Sequence, residues 1–439
     1  MDGVFNGIAD VKVCVIGAGP CGLTALKNLK QAGLRDIVCY EAGSQVGGNW
    51  VFRDEHGHSS IYETTHTISS KSLSQFDDFP MPRDYPEYPS HVQVLAYFQS
   101  YARHFDVLDH VRFRSRVAAA ERRSDGRWQI TVSRAGGPEV ELFDHLIVCS
   151  GHHWSPSRPD LPGRFAGGQL HAHDYKSAEP FRDARVLVVG GGNSACDIAV
   201  ETSRLSRKTS ISMRRGYYII PKFVYGMPVD VAYRRLLFLP KVLRQPVLAF
   251  LLRLAIGRWA KYKLKKPACG PLEMHPTLNS EILYAIRHGK VHPRGAISAV
   301  DGHRVTFEDG SSEDIDIVIW ATGYRTGFPF LGDAYRDWED ATRLPLYLKM
   351  MPADPPNLYF IGLFQPIGCI WNLADYQARI AALQIAGKLK RPADLAGRID
   401  REMSHPHWKF EARPRHAAEV DYHDFKSELL RELKPATAS

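Results

Sequence analysis

At 439 residues the chain has room for two or three domains with real cores, and 44% hydrophobic and 24% charged content excludes a disordered or fibrous protein. The net charge of +8 is local: Val231–Leu272 holds ten Lys or Arg and no Asp or Glu, leaving the rest of the chain at −2. Seven cysteines are scattered with no CxxC pair, which argues for a reducing compartment and against a disulfide-exchanging redox centre.

The start, Met1-Asp2-Gly3, has no basic stretch followed by an apolar one, so no secretory signal is expected. The end, Pro435 to Ser439, carries no prenylation box. Residues 11–16 and 36–40 predict short buried strands around a helix at about 20–32, one βαβ unit. Its turn is Gly17-Ala18-Gly19-Pro20-Cys21-Gly22, and Glu41 closes the second strand 24 residues after Gly17. Gly17, Gly19 and Gly22 permit a tight turn and close approach of a pyrophosphate to a helix N-terminus, and an acidic residue at 41 accepts hydrogen bonds from a free ribose 2′-OH. That combination predicts FAD, with Gly48 and Trp50 of Gly47-Gly48-Asn49-Trp50 in a second loop against the same cofactor. Residues 50–90 predict an irregular excursion over the flavin. A helix over Val92–Phe105, strands over Val111–Ala120 and Trp128–Val132, and a parallel strand over His145–Cys149 follow, up to a Pro- and Gly-rich boundary at Pro156–Gly163.

A second βαβ unit is expected from near Arg185 to Arg287–His292. Its turn is Gly190-Gly191-Gly192-Asn193-Ser194-Ala195, and Arg214 closes the next strand 24 residues after Gly190. Gly190, Gly192, Asn193 and Ser194 repeat the pyrophosphate turn, while Arg214 with Arg215 offers a guanidinium fork for a 2′-phosphate, which predicts NADPH. The basic stretch 231–272 also holds apolar runs, and Pro240, Pro246 and Arg253 are expected to interrupt it, which excludes a spanning helix. Two readings stand for it: a basic amphipathic hairpin on an anionic membrane surface, or a solvated flap or oligomer contact. No motif for reading nucleic acid accompanies the charge. Asp316–Trp320 predicts another buried strand, ending at Ala321-Thr322-Gly323-Tyr324, where Thr322 and Gly323 let backbone approach the flavin or a linker. Leu358–Gly362 and a helix over about Leu373–Lys388 predict the last βα element. The expected architecture is α/β with two Rossmann-like domains, the NADPH domain (161–295) inserted into an FAD domain made of 1–160 and 296–439. A cytoplasmic setting follows, peripheral to a membrane if the basic stretch binds one.

Between the two turns lies Phe165-Ala166-Gly167-Gly168-Gln169-Leu170-His171-Ala172-His173-Asp174-Tyr175, an FxGxxxHxxxY pattern. No Cys or acidic cluster completes a zinc site around His171 and His173, so no metal is expected. Here the chain resembles the flavin-containing monooxygenase family; the related Baeyer–Villiger enzymes carry Trp where this chain has Tyr175. Asp78-Phe79-Pro80-Met81-Pro82, Ala321-Thr322-Gly323-Tyr324, and Gln365-Pro366-Ile367-Gly368 with Gln377 resemble further blocks of the family, the last of them a flavin-contacting region. The resemblance implies NADPH- and O2-dependent oxygenation of an amine nitrogen or sulfide sulfur through a flavin C4a-hydroperoxide, with no side-chain nucleophile. One departure stands out. The family's Tyr-x-x-Leu-x-Thr-Asn stretch, whose Asn helps hold the oxygenated flavin, falls on Tyr62–Ile68, so Ile68 replaces the Asn. His66 or Ser69 would have to substitute. That departure keeps open an uncoupled NADPH oxidase, beside Baeyer–Villiger oxygenation of a ketone.

Overall fold

The computed structural model describes residues 11–134, 136–408, 410 and 416–437; the expectation drawn from Met1–Gly3 lies outside them. The first βαβ unit forms as the apolar runs require. Strand β1 (Val13–Ile16) and strand β2 (Ile37–Tyr40) are buried along their whole length, the mark of parallel strands covered on both faces. Helix α1 (Pro20–Ala32) starts with Pro20 in its first turn and stops at Gly33, whose φ of 96° suits the left-handed cap. Helix α2 (His91–His104) opens on a capping box, with Ser90 and Gln93 each satisfying the other's backbone.

In chain order there follow β3 (His145–Val148), β4 (Gly168–His171), β5 (Arg185–Val189), α3 (Asn193–Thr202), β6 (Lys208–Ser212), α4 (Lys241–Ile256), β7 (Val291–Arg294), β8 (Ile317–Trp320), β9 (Leu358–Phe360) and α5 (Ile370–Ile385). One parallel sheet has the order β9-β3-β1-β2 with Val111–Arg112 at its edge. Val13 pairs with Ile37 and with His145, and Leu358 with Leu146, so residues far apart in sequence share one sheet. The other parallel sheet has the order β4-β8-β5-β6-β7. The chain forms two compact units: one runs to Ser59 and adds Lys71–Ser155 and Arg325 onward, the other comprises Ser60–Ser70 and Pro156–Tyr324.

Four expectations need correcting. The second unit does not end near residue 295. Its sheet takes in β8, where Val318, Ile319 and Trp320 are buried and Ile317 pairs with Val186, so the unit reaches Tyr324. The segment 60–70, part of the first half by sequence, packs in the second unit. The strand predicted over Val111–Ala120 divides, because Arg114 takes a positive φ of 51°; its second part, Arg116–Arg122, joins a three-stranded meander with Trp128–Arg134 and Gly137–Phe143. Finally, Pro246 lies inside α4 without ending it, since it removes only one early backbone hydrogen bond, while Leu252 and Ile256 are buried beyond it. At 16 residues α4 remains too short to span, and no helix among the described residues is long and apolar enough to cross a membrane.

Candidate functional site

In the first unit the strand-to-helix turn is built of backbone in contact with backbone. Gly17 has φ 99°, and a Cβ there would stand 2.8 Å from the Cys149 carbonyl oxygen; one on Gly22 would stand 1.9 Å from the Gly17 oxygen. The Gly47-Gly48 loop closes on the same turn: a Cβ on Gly48 would come within 2.9 Å of the Gly19 Cα, and Gly47 N–H donates to the Ala18 carbonyl at 3.1 Å. Glu41 lies at the end of β2, its Oε2 accepting from Ala18 N–H at 2.7 Å and its Oε1 from Gly43 N–H at 2.7 Å. Each oxygen keeps a further lone pair for a sugar hydroxyl. Trp50 packs edge-on against Trp371 at 5.6 Å. The Ser150 hydroxyl, just beyond β3, is buried with no hydrogen-bond partner among the described residues. A turn that leaves no room for a Cβ at Gly17, Gly22 or Gly48, an acidic strand end and an unsatisfied hydroxyl beside them suit a dinucleotide. Gln377 has another role in the geometry. Fully buried, it accepts from Gly362 N–H at 2.9 Å and donates to the Leu348 carbonyl at 2.8 Å, bracing the backbone after β9.

The second unit repeats the design. Gly190 has φ 142°, and a Cβ on it would stand 2.3 Å from the Ala321 carbonyl oxygen. Gly192 precedes α3 in extended conformation, Asn193 Oδ1 accepts from Leu278 N–H at 2.7 Å, and Ser194 is exposed in the first turn of the helix. Ala195, fully buried, fills the place of a third glycine. Arg214 is exposed beyond β6, and Arg215 lies over the Tyr217 ring at 5.2 Å. Lys265 Nζ donates to the Arg214 carbonyl at 3.1 Å and is paired with Glu308 at 2.5 Å. Thr322 Oγ1 donates to the Ser157 carbonyl and Gly323 has φ 89°, so this pair pins residue 157.

The three candidates of the 60–70 segment fare differently. His66 is exposed, with Nδ1 2.6 Å from the Thr64 carbonyl; Ile68 is half-buried; Ser69 is buried and partnered. Thr67, which falls on the Thr of the Tyr-x-x-Leu-x-Thr-Asn stretch but was not among the candidates, is 2% exposed, and its hydroxyl has no hydrogen-bond partner among the described residues. His171 Nδ1 accepts from His173 N–H at 3.1 Å, and burial lowers the His171 pKa to about 4. Among the described residues no three His, Cys, Asp or Glu side chains gather as metal ligands.

Comparison with known proteins decides the family. The family described as flavin-binding monooxygenase-like matches residues 10–437. The chain belongs to it. Flavin-containing monooxygenase 5 of Homo sapiens is 34% identical over 438 residues, covering 95% of this chain and 82% of that protein. Dimethylaniline monooxygenase (N-oxide-forming) 2 of Rattus norvegicus is 34% identical over 446 residues, with coverage of 96% and 82%. Among solved structures, S-allyl-L-cysteine S-oxygenase from Allium sativum superposes with a TM-score of 0.71 at 23% identity, over 96% of this chain and 88% of that one. A cyclohexanone monooxygenase from Rhodococcus sp. Phi1 bound to NADP+ gives 0.71 at 16%, over 97% of each chain. These structures share its fold of two dinucleotide-type α/β units, and the chain is a flavin-dependent monooxygenase of this family.

Proposed function

We propose that this monooxygenase uses NADPH and O2 to oxygenate a soft nucleophile, an amine nitrogen or a sulfide sulfur. The observation that carries the reading is the pair of glycine turns closed by side chains of opposite charge, Glu41 and Arg214. In the first unit Gly17, Gly19, Gly22 and Gly48 would admit the FAD pyrophosphate and Glu41 would take the ribose hydroxyls, with Trp50 beside the loop. In the second, Gly190, Gly192, Asn193 and Ser194 would hold the NADPH pyrophosphate and Arg214 with Arg215 its 2′-phosphate. Thr322 and Gly323 shape the strand end, and Gln377 braces the backbone behind β9. When bound, FAD supplies the redox and oxygen-activating chemistry that no side chain here provides. The chain's own work is to orient both cofactors and keep water out.

The name of the Rattus relative, which forms an N-oxide, supports a nitrogen nucleophile. Tyr175, in place of Trp, speaks against ketone oxygenation. Ile68 favours a second reading, an NADPH oxidase that releases peroxide. Turnover with NADPH and O2 in the presence of dimethylaniline, methyl phenyl sulfide or a cyclic ketone decides among them. N-oxide or sulfoxide in step with NADPH consumption is expected; a lactone, or peroxide equal to the NADPH consumed, overturns the reading. Ile68→Asn should lower the peroxide yield per NADPH severalfold. We also propose that the exposed apolar and basic face around α4 makes peripheral contact with an anionic membrane surface.

A further inference from the structure

Helix α3, which starts at the second glycine turn, directs two carboxylates one turn apart at the 60–70 segment. Asp197 Oδ2 accepts the Tyr62 hydroxyl at 2.7 Å, and its Oδ1 accepts the Asn279 amide at 2.5 Å. Glu201 Oε1 accepts the Thr64 hydroxyl, and its Oε2 accepts the Tyr175 hydroxyl at 2.8 Å. Tyr175 is the last residue of the 165–175 pattern, and its ring meets that of Tyr62 edge-on at 5.6 Å. Its neighbour Lys176 donates from Nζ to the Ile61 carbonyl at 3.1 Å and accepts from Glu63 N–H at 2.9 Å. Further along, Lys222 Nζ donates to the Thr67 carbonyl at 3.3 Å and Ser70 N–H to Asp230 Oδ2 at 2.7 Å. The residues that carry His66, Ile68 and Ser69 are thus suspended from the second unit at both ends.

Stability alone is a poor reason for this arrangement. Burying carboxylates against hydroxyl and amide donors costs desolvation that an apolar pair of the same shape would avoid. Arg204, which acts on Glu201, is engaged with Glu281 at 2.9 Å. What the carboxylates do provide is direction: two of their four acceptor contacts fix Tyr62 and Thr64, and with them the chain that follows.

We propose that Asp197 and Glu201 are positioning residues that hold the 60–70 segment through Tyr62 and Thr64, and that this hold sets how much of the NADPH consumed gives oxygenated product rather than peroxide. The second clause rests on the monooxygenase function proposed above. The hold depends on pH. Burial pushes the Glu201 carboxyl up to about 7; the Tyr175 hydrogen bond and Arg204 oppose the shift, and Asp197 and Glu63 add to it. Those groups, with Tyr62 and Thr64 from the segment, face Glu201; Lys222 and Glu281 face the neighbouring Asp197. A carboxyl whose pKa is raised by its folded surroundings is favoured there in its protonated form, in which one oxygen donates and the other still accepts. The segment is therefore held most firmly below the ordinary carboxylate range, and the hold loosens as pH rises through about 7.

The test compares the full-length wild type with Glu201→Gln and Thr64→Val by two readouts. In hydrogen exchange without substrate, corrected for intrinsic rates, protection of residues 60–70 in the wild type should fall about tenfold between about pH 6 and pH 8, following the protonated fraction of a group titrating near 7. Glu201→Gln should abolish that fall, and Thr64→Val should reduce protection at the lower pH. In turnover, peroxide per NADPH should rise with rising pH in the wild type and stay flat in Glu201→Gln, with KM for NADPH unchanged within about twofold. A Glu201→Gln enzyme with wild-type exchange and a wild-type pH profile overturns the proposal. So does a rise in KM for NADPH that accounts for the lost coupling, since the effect then belongs to the start of α3. A wild type that does not oxidise NADPH refutes the monooxygenase reading and the coupling clause, while the exchange data still decide the anchor.

Discussion

Glu41 and Arg214 occupy equivalent strand ends in the two units and answer opposite demands. A carboxylate can accept a sugar hydroxyl but repels a phosphate; a guanidinium reverses both preferences. Arg214 is exposed, and its side chain supports no core, so its removal should touch cofactor choice and little else. Arg214→Ala should lower kcat/KM for NADPH by about 10- to 100-fold, the loss of one or two charge-assisted hydrogen bonds, and leave kcat/KM for NADH nearly unchanged. Steady-state kinetics with both nucleotides checks this; equal losses for the two would place Arg214 away from the 2′-phosphate. Residues of this kind were legible because their chemistry follows from a strand, a turn and a fixed spacing. Glu201 was not, because the hydroxyl it accepts comes from Thr64, 137 positions away, and no local pattern announces that meeting. Gln377 was singled out by its family block alone, and the geometry gives its amide to two backbone partners, Gly362 and Leu348, that no local pattern announces.

At the scale of elements, the buried parallel strands were readable because burial on both faces leaves continuous apolar runs, as in Val13–Ile16 and Ile317–Trp320. The strand Gly137–Phe143 was not predicted: Glu139, Val140 and Glu141 give it no apolar run, and Val140 is 59% exposed. Beyond its ladder with Trp128–Arg134 and the buried Phe143, what fastens it is charge. Glu141 accepts from Tyr40 at 2.5 Å and Arg112 at 2.6 Å and pairs with Lys12 at 2.7 Å, which ties the meander to the edge of the first sheet. Burial alone would raise the Glu141 pKa, but the hydrogen bonds from Lys12, Tyr40 and Arg112 outweigh it and hold the carboxyl at about 2. A depressed pKa contributes stability that is present above the ordinary carboxylate range and is lost as pH falls toward that of the folded state. Glu141→Gln should therefore cost about 1–3 kcal/mol near neutral pH, a cost that shrinks below about pH 4 and vanishes near pH 2. Denaturant unfolding across that range checks it; a penalty independent of pH would mean that shape, not charge, holds the strand.

Across the whole molecule the formal charge is concentrated where the apolar surface is most exposed. On α4, Leu243, Phe250 and Leu254 recur at helical spacing and are 49%, 60% and 65% exposed, with Phe238 just before the helix at 80%. Arg234, Arg235, Arg253 and Arg258 around them are exposed too, whereas Arg244 is occupied with the Leu237 and Leu239 carbonyls. An apolar stripe among uncompensated cations suits the headgroup region of an anionic bilayer better than bulk water, each surface arginine contributing about 1 kcal/mol at low salt. The full chain should float with phosphatidylcholine vesicles containing phosphatidylserine and remain behind with phosphatidylcholine alone. Binding should weaken as salt rises, because the charge contribution is screened within a Debye length. Replacing Phe238, Phe250 and Leu254 by Ser should abolish flotation while leaving turnover of a water-soluble amine intact, since none of the three lies at either glycine turn. Equal flotation of that variant would move the contact elsewhere; no flotation of the wild type, together with concentration-dependent self-association that the variant loses, would assign the face to a second copy of the chain.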